Sequence, residues 1–161
     1  MKKGEHTYIL GIESSCDETS ASVCHNGKIL SNIIAAQAIH TQYGGVVPEL
    51  ASRAHMQNIV PVVDQAMIDA GISLDQLDAI AFTSSPGLIG ALLVGTGFAK
   101  SLALSLDISL IAVHHMQAHV LSNLIADPQP EFPFLCLTVS GGHTQIVLCK
   151  DALNMEILGE T

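Results

Sequence analysis

The dipeptide Asn26-Gly27 lies between two apolar, strand-like runs, and it constrains the fold more than any other feature of the sequence. Asn-Gly favours the two-residue turn that joins antiparallel strands. A further apolar run at residues 8–12 precedes the pair of strands at residues 21–24 and 28–35. The chain is therefore predicted to begin with a three-stranded antiparallel meander.

A long helix is predicted to follow the meander. Pro48 suits its first turn, and Gly71 follows its last apolar residue, as is usual at helix ends. Pro61 lies inside the apolar pattern and is expected to kink or divide the helix. Arg53 and His55, on the early turns, are expected to be exposed.

Strands and helices then alternate up to a final hairpin. A strand at residues 78–83, a helix at 88–106 and a strand at 109–113 precede two strands at 134–139 and 145–149. The region from 88 to 113 is too interrupted for a membrane span, and we interpret it as a buried helix followed by a buried strand. Its glycines lack the Gly-Lys-Ser/Thr ending of a phosphate-binding P-loop and are expected to permit close backbone approach. The order predicts an α/β fold, a mixed sheet with flanking helices.

A histidine pair is predicted where the strand at 109–113 passes into a short helix. His115 and His119 lie four residues apart, so they share one face of a helix that has begun by His115. Neutral imidazoles suit zinc or iron, and a third ligand must come from elsewhere. The alternative is a polar helix start that binds nothing. A metalloprotease is disfavoured, because Met116 stands where the H-E-x-x-H motif has its general base.

Two polar turns are candidates for contact with a phosphate group. The first turn, residues 13–20, combines carboxylates with hydroxyls, but an ordinary hairpin turn has the same composition. The second contains Gly141-Gly142, flanked by Ser140 and His143. Paired glycines permit positive φ and leave the backbone accessible to a ligand, although a tight hairpin alone also explains them.

Composition restricts the classes of function. Of the residues, 48% are hydrophobic and 13% charged, so some apolar side chains are expected to face a partner or a missing part of the chain. The formal net charge is −9, which disfavours nucleic-acid binding by this chain acting alone. The four cysteines form no CxxC pair and are interpreted as reduced thiols of a cytoplasmic protein.

Motifs distributed along the chain resemble those of the TsaD (Gcp) family of tRNA threonylcarbamoyladenosine transferases. They are Gly-Ile-Glu-Ser-Ser-Cys-Asp-Glu-Thr at 11–19, Tyr-Gly-Gly-Val-Val-Pro-Glu-Leu-Ala-Ser-Arg at 43–53, Pro-Gly-Leu-Ile-Gly-Ala-Leu-Leu-Val-Gly at 86–95, His-His-Met-x-x-His at 114–119 and Val-Ser-Gly-Gly-His-Thr at 139–144. Their order and extent make the resemblance specific. It implies a ribonuclease-H-like lobe of the actin-like ATPase (ASKHA) superfamily.

The resemblance also implies a reaction and its site. The family transfers threonylcarbamoyl from threonylcarbamoyl-adenylate to N6 of the adenosine adjacent to the tRNA anticodon. His115 and His119 would hold one divalent metal, iron or zinc, with an aspartate from a second half, and would be the catalytic residues. The residues that would bind the nucleotide, threonylcarbamoyl-adenylate or ATP/ADP, are Thr138, Val139, Ser140, Gly141 and Gly142. The phosphate-side turn would comprise Glu13, Ser14 and Asp17.

Family members continue beyond the point where this sequence stops. We interpret residues 1–161 as one N-terminal lobe, which should hold metal weakly and be inactive without its C-terminal lobe. Some relatives have tyrosine where this chain has Thr138, so an additional ligand there stays open. The implied partners are tRNA, a noncatalytic TsaB-like paralogue and a TsaE-like ATPase, in the cytoplasm and without a membrane. The alternatives are an ASKHA-type small-molecule kinase or ATPase and a noncatalytic assembly module.

Overall fold

The structure is a computed structural model that describes residues 6–37, 40, 43–140 and 142–161. The chain forms two compact units, Met1–Val113 and His114–Thr161. The first contains a five-stranded sheet with two helices, and the second contains a short helix and a three-stranded sheet. The predicted α/β class, a mixed sheet with flanking helices, is confirmed.

Five strands form the sheet of the first unit, in the order β3-β2-β1-β4-β5. Their bounds are β1 Tyr8–Glu13, β2 Glu18–His25, β3 Lys28–Ala36, β4 Ala79–Ser85 and β5 Ser109–His114. The first three are antiparallel neighbours, as the meander prediction requires, whereas β1 and β4 run parallel. The ends of β1 and β4 that carry Glu13 and Thr83 therefore meet at one edge of the sheet.

Asn26 and Gly27 form the predicted tight turn between β2 and β3. Asn26 has φ 48° and Gly27 has φ 84°, both in the left-handed region. A turn with two positive φ values matches the twist of the adjoining strands, and asparagine and glycine tolerate it best. His25 and Lys28 consequently pair directly across the turn.

Helix α1 covers Pro48–Ala70 and begins and ends as predicted. Gly71 adopts φ 68°, and its N–H donates to the carbonyl of Ile68. Pro61 does not divide the helix, which continues through it. The exposure expected for Arg53 is confirmed, but that expected for His55 is wrong, since its side chain is fully buried.

Helix α2 covers Ile89–Leu106, and its small residues allow close approach, as predicted. A Cβ on Gly90 would lie 2.3 Å from the Ser52 hydroxyl oxygen of α1. The expected burial of this region is wrong in part, because α2 buries one face only and β5 is largely exposed. Within the described residues, α2 alone is long and apolar enough to cross a membrane, a test that core helices also pass.

The core of the first unit lies between the sheet and the two helices. It combines apolar side chains of β1, β2 and β4 with the inward faces of α1 and α2. Its most completely buried large side chains include Leu10, Val23 and Ile80. Burial of this kind supplies most of the favourable free energy of folding.

The second unit has a smaller core and one uncovered sheet face. Its elements are α3 His115–Leu121, β6 Phe134–Ser140, β7 His143–Asp151 and β8 Asn154–Glu160, with strand order β6-β7-β8. Val120 packs with Val147 and Cys149 on one face of the sheet. On β6 the alternate residues Leu135, Leu137 and Val139 are 65%, 64% and 72% exposed. This apolar face agrees with the expectation drawn from composition.

Candidate functional site

The polar turn of residues 13–20, named the acidic turn from here on, starts at Glu13, where β1 ends beside β4. The Thr83 hydroxyl donates to Glu13 Oε2 over 2.5 Å, and the Ser15 backbone N–H donates to Glu13 Oε1. Because one donor lies on the neighbouring strand and the other within the turn, the carboxylate is held in a defined orientation. Charge-assisted hydrogen bonds of this type are stronger than neutral ones.

The start of α2 packs against the same turn. Ser14, which is buried, donates its hydroxyl to the carbonyl of Ala91 over 2.9 Å. The Leu88 N–H donates to the carbonyl of Ser15 over 2.8 Å. A Cβ on Gly87 would lie 2.5 Å from the same Ser15 oxygen, so this approach requires glycine. The Ser14 side chain thus faces the protein interior, while its backbone belongs to the turn.

The outer part of the turn carries the groups that face solvent. Cys16 and Glu18 are exposed, Asp17 is half-buried and Thr19 is fully buried. Partial desolvation of the thiol raises the pKa of Cys16, and the charge and hydrogen bond of Asp17 raise it further. A raised pKa keeps the thiol protonated near neutral pH, so this environment does not activate Cys16 as a nucleophile.

His55 also contacts this turn, and the sequence analysis missed it. Its Nε2 lies 3.0 Å from the Cys16 carbonyl oxygen and its Nδ1 lies 2.8 Å from Thr19 Oγ1. A signal was available in the helical spacing, because His55 falls between Ala51 and Ile59 on the buried face of α1. A polar residue on an apolar stripe requires a buried partner.

The histidine pair of the second unit has the predicted geometry. His115 starts α3, and His119 lies one turn later on the same helix. Their Nε2 atoms are 3.0 Å apart, and the rings meet edge to face with centroids separated by 4.5 Å. Two imidazole nitrogens that converge in this way form a donor set suited to a transition metal.

No third metal-ligand side chain joins this pair in the described part of the chain. Among the described residues, no group of three or more His, Cys, Asp or Glu side chains is placed to hold a metal ion. A second close pair lies in the first unit, where His6 Nδ1 is 3.1 Å from His25 Nε2 and Tyr8 stacks on His25. Two close histidines therefore occur in both units. Replacing one histidine of each pair and measuring the metal content shows which pair binds metal.

The predicted nucleotide-binding stretch lies at the end of β6 and in the hairpin that follows. Thr138 is buried, with Oγ1 3.9 Å from Cys136 Sγ, whereas the adjacent Val139 points to the exposed face. Side chains alternate between the two faces of a strand, so Thr138 and Val139 point to opposite faces of the sheet. A ligand could contact both residues only through their backbone. Ser140 pairs with His143 across the turn, so the predicted hairpin is confirmed.

Two glycines, Gly141 and Gly142, separate β6 from β7 in the sequence, and Gly141 lies outside the described residues. Gly142 is exposed, does not adopt positive φ, and has no atom within 4 Å of a Cβ built on it. Gly142 therefore does not use the positive φ that glycine permits, and no described neighbour crowds this position.

Structural comparison supports the fold. YeaZ from Pseudomonas aeruginosa superposes with a TM-score of 0.63 at 21% sequence identity, over 96% of this chain and 66% of YeaZ. The ROK hexokinase from Thermus thermophilus gives a TM-score of 0.55 at 17% identity, over 94% of this chain and 48% of the hexokinase. At these identities the likeness concerns the fold alone, which places the chain with actin-like and ribonuclease-H-like folds.

Sequence comparison identifies the family. The sequence model of tRNA N6-adenosine threonylcarbamoyltransferase (TsaD) matches residues 28–161. The enzyme of that name from Riemerella anatipestifer is 61% identical over 98% of this chain and 47% of its own length. The one from Christiangramia forsetii is 62% identical over 95% of this chain and 46% of its own length. The chain, which spans about half the length of these relatives, belongs to the tRNA N6-adenosine threonylcarbamoyltransferase family.

Proposed function

We propose that this chain supplies part of the active site for transfer of threonylcarbamoyl from threonylcarbamoyl-adenylate to N6 of the adenosine beside the tRNA anticodon. The family match supports the reaction class. The observation that carries the proposal is the approach of His115 and His119 within that match, with their Nε2 atoms 3.0 Å apart. The proposed catalytic residues are these two histidines.

The proposed cofactor is one divalent metal ion, iron or zinc. The donor set fits, because two imidazoles suit either metal and the pair converges at the start of α3. A metal bound there would act as a Lewis acid toward the carbamoyl carbonyl of the substrate. His115 is half-buried and His119 is exposed, so the pair faces outward, where a further ligand can approach.

The proposed nucleotide contacts lie on the β6–β7 hairpin and on the acidic turn. The open space over Gly142 permits a ligand to approach the backbone at the end of β6. In the first unit, the Glu13 carboxylate accepts hydrogen bonds from Thr83 and Ser15. These bonds fix its orientation, so it does not rotate toward a bound phosphate. Asp17 is the carboxylate of the proposed phosphate-side turn that remains partly accessible.

The proposed partners are tRNA, a TsaB-like paralogue and a TsaE-like ATPase, in the cytoplasm. The net charge of −9 implies that other parts of the assembly contribute the basic surface that binds tRNA. Exposed apolar side chains on α1 and α2, among them Met56, Leu93 and Leu104, offer a surface for a paralogue of the same fold. Mass measurement of a mixture with the paralogue tests this, and Leu93→Asp should weaken the complex.

The decisive experiment compares this chain with the same chain joined to the C-terminal half of the Riemerella anatipestifer relative. Metal content is measured for both proteins, and threonylcarbamoyl transfer to tRNA is measured for both in the presence of the TsaB-like and TsaE-like partners. We expect transfer by the joined protein, and loss of both metal and transfer in its His115→Ala and His119→Ala variants.

His25→Ala is the matched control, because it removes one histidine of the pair with a similar nitrogen separation in the first unit. It should leave transfer and the functional metal unchanged. Tight, metal-independent ATP binding that ignores His115→Ala and His119→Ala would instead favour an ASKHA-type kinase or ATPase. Assembly with the paralogue without any transfer would favour a noncatalytic module.

A further inference from the structure

The buried imidazole of His55 is the most unusual polar group in the first unit. Its side chain is 0% exposed, on the inward face of α1. Both ring nitrogens are within hydrogen-bond distance of the acidic turn, Nε2 of the Cys16 carbonyl and Nδ1 of the Thr19 hydroxyl. The residue thus joins the helix to two points of one short segment.

The chemistry of the partners determines the tautomer. A carbonyl oxygen can only accept a hydrogen bond, so His55 Nε2 carries the hydrogen that is donated to Cys16. In the neutral ring, Nδ1 then accepts from the Thr19 hydroxyl. Both hydrogen bonds are satisfied at once, which offsets the cost of burying the polar ring.

The two contact points flank an acidic pair. Asp17 and Glu18 lie between Cys16 and Thr19, and neither is buried. On the preceding side, Ser14 and Ser15 are hydrogen-bonded to the start of α2. Hydrogen bonds to α1 and to the start of α2 therefore hold the residues on both sides of Asp17 and Glu18 and restrict the backbone of the turn.

We propose that His55 is a positioning residue, which acts through the backbone at Cys16 and the hydroxyl of Thr19 to hold the carboxylates of Asp17 and Glu18 in one conformation. Its relevance to catalysis rests on the proposed function, in which this turn faces the phosphate side of the nucleotide. His55 itself does not reach substrate, because it is covered on all sides. Orientation of groups near a reacting centre has large kinetic effects, since a displacement of about 1 Å can cost roughly 100-fold in rate.

A matched pair of substitutions at Thr19 tests the proposal while His55 stays in place. Thr19→Val keeps the size of the side chain and removes the hydroxyl that Nδ1 contacts. Thr19→Ser keeps the hydroxyl and removes a methyl group. A purely structural role predicts that activity follows the loss of thermal stability in both variants, whereas positioning predicts that Thr19→Val alone is severely impaired.

The first measurement uses nitrogen-15 NMR on the 161-residue chain and does not depend on any enzymatic activity. We expect the Nε2–H tautomer for His55 and amide order parameters for Asp17 and Glu18 typical of rigid backbone, about 0.85. In Thr19→Val these order parameters should fall toward those of flexible loops, about 0.6, and in Thr19→Ser they should stay high. Unchanged order parameters in Thr19→Val would overturn the proposal.

The second measurement is threonylcarbamoyl transfer by the chain joined to the relative's C-terminal half, with the TsaB-like and TsaE-like partners present. We expect kcat to fall about tenfold or more in Thr19→Val, with the tRNA KM unchanged and Thr19→Ser retaining most of the rate. Wild-type rates in Thr19→Val would also overturn the proposal. If the unsubstituted joined protein shows no transfer while the NMR difference persists, the proposed function fails and the positioning of the turn stands.

Discussion

Gly95 of α2 and Ser14 of the acidic turn approach so closely that a Cβ on Gly95 would lie 2.2 Å from the Ser14 hydroxyl oxygen. Gly95→Ala should therefore lower the free energy of unfolding by about 1–3 kcal/mol through overpacking. Gly97→Ala is the matched control on the same helix, because a Cβ there meets no atom within 4 Å. It should raise stability by about 0.5–1 kcal/mol through helix propensity. Urea denaturation measures both changes.

The same contact predicts that substitutions at Gly95 and Ser14 have non-additive effects on the free energy of unfolding. Ser14→Ala removes the oxygen that an alanine at 95 would strike, although the Ser14 Cβ would still lie 3.1 Å away. The double variant should therefore lose less stability than the sum of the single losses, by about 0.5 kcal/mol or more. Additive losses would show that α2 moves aside instead.

The hydrogen bond from Thr83 to Glu13 should stabilise the first unit. Thr83→Val preserves the side-chain shape but removes the donor to a charged carboxylate, which should cost about 1.5–3 kcal/mol of unfolding free energy. Ser84→Ala removes an exposed hydroxyl that contacts the carbonyl of Val113 and should change stability by about 0.5 kcal/mol or less. Equal effects of the two substitutions would contradict the role assigned to Glu13.

The alkylation rate of Cys16 should report the charge of Asp17. Because desolvation and then Asp17 raise the pKa of the thiol, the thiolate is scarce at neutral pH, and the rate should continue to rise with pH beyond the usual cysteine pKa of about 8.5 before it levels off. Asp17→Asn removes the charge that opposes deprotonation, so it should shift this rise to lower pH. Iodoacetamide labelling followed by peptide mass spectrometry separates Cys16 from the buried Cys149, which should react slowly in both proteins.

Gly142→Ala should separate ligand contact from folding. The added Cβ meets nothing within 4 Å and φ is not positive, so stability should change by about 0.5 kcal/mol or less. If a nucleotide approaches this backbone, its affinity should fall tenfold or more, which corresponds to about 1.4 kcal/mol. Gly159→Ala, which is equally unobstructed on β8, should affect neither quantity. Calorimetry of the joined protein with a threonylcarbamoyl-adenylate analogue measures the affinities. Equal affinities in the wild type and in Gly142→Ala would show that Gly142 does not contact the nucleotide.

The exposed face of β6 should bind hydrophobic dyes. Leu137 is 64% exposed, so Leu137→Ser should reduce anilinonaphthalene sulfonate fluorescence and leave stability within about 0.5 kcal/mol. Val147, on the buried face of the same sheet, is 4% exposed. Val147→Ser should destabilise the second unit by about 2 kcal/mol or more and increase dye binding. Opposite responses of the two variants distinguish the faces.

Short-range chemistry explains the features that could be predicted from sequence. Asn26-Gly27 forms its turn because both residues tolerate positive φ. Pro48 and Gly71 mark the ends of α1 because proline lacks a donor that the first turn does not need and glycine accepts the left-handed conformation. His115 and His119 converge because residues four apart share a helix face. Each of these signals acts within a few residues.

Long-range packing decided the rest. The burial of His55 depends on Cys16 and Thr19, which are 39 and 36 residues away in the chain. The need for glycine at position 95 comes from Ser14, which lies on another element. The sequence by itself thus determined the strands, the turns, the helix ends and the family. Only the tertiary structure decided which polar groups are buried and what they hold, because the partners of a buried group are selected by packing between distant segments.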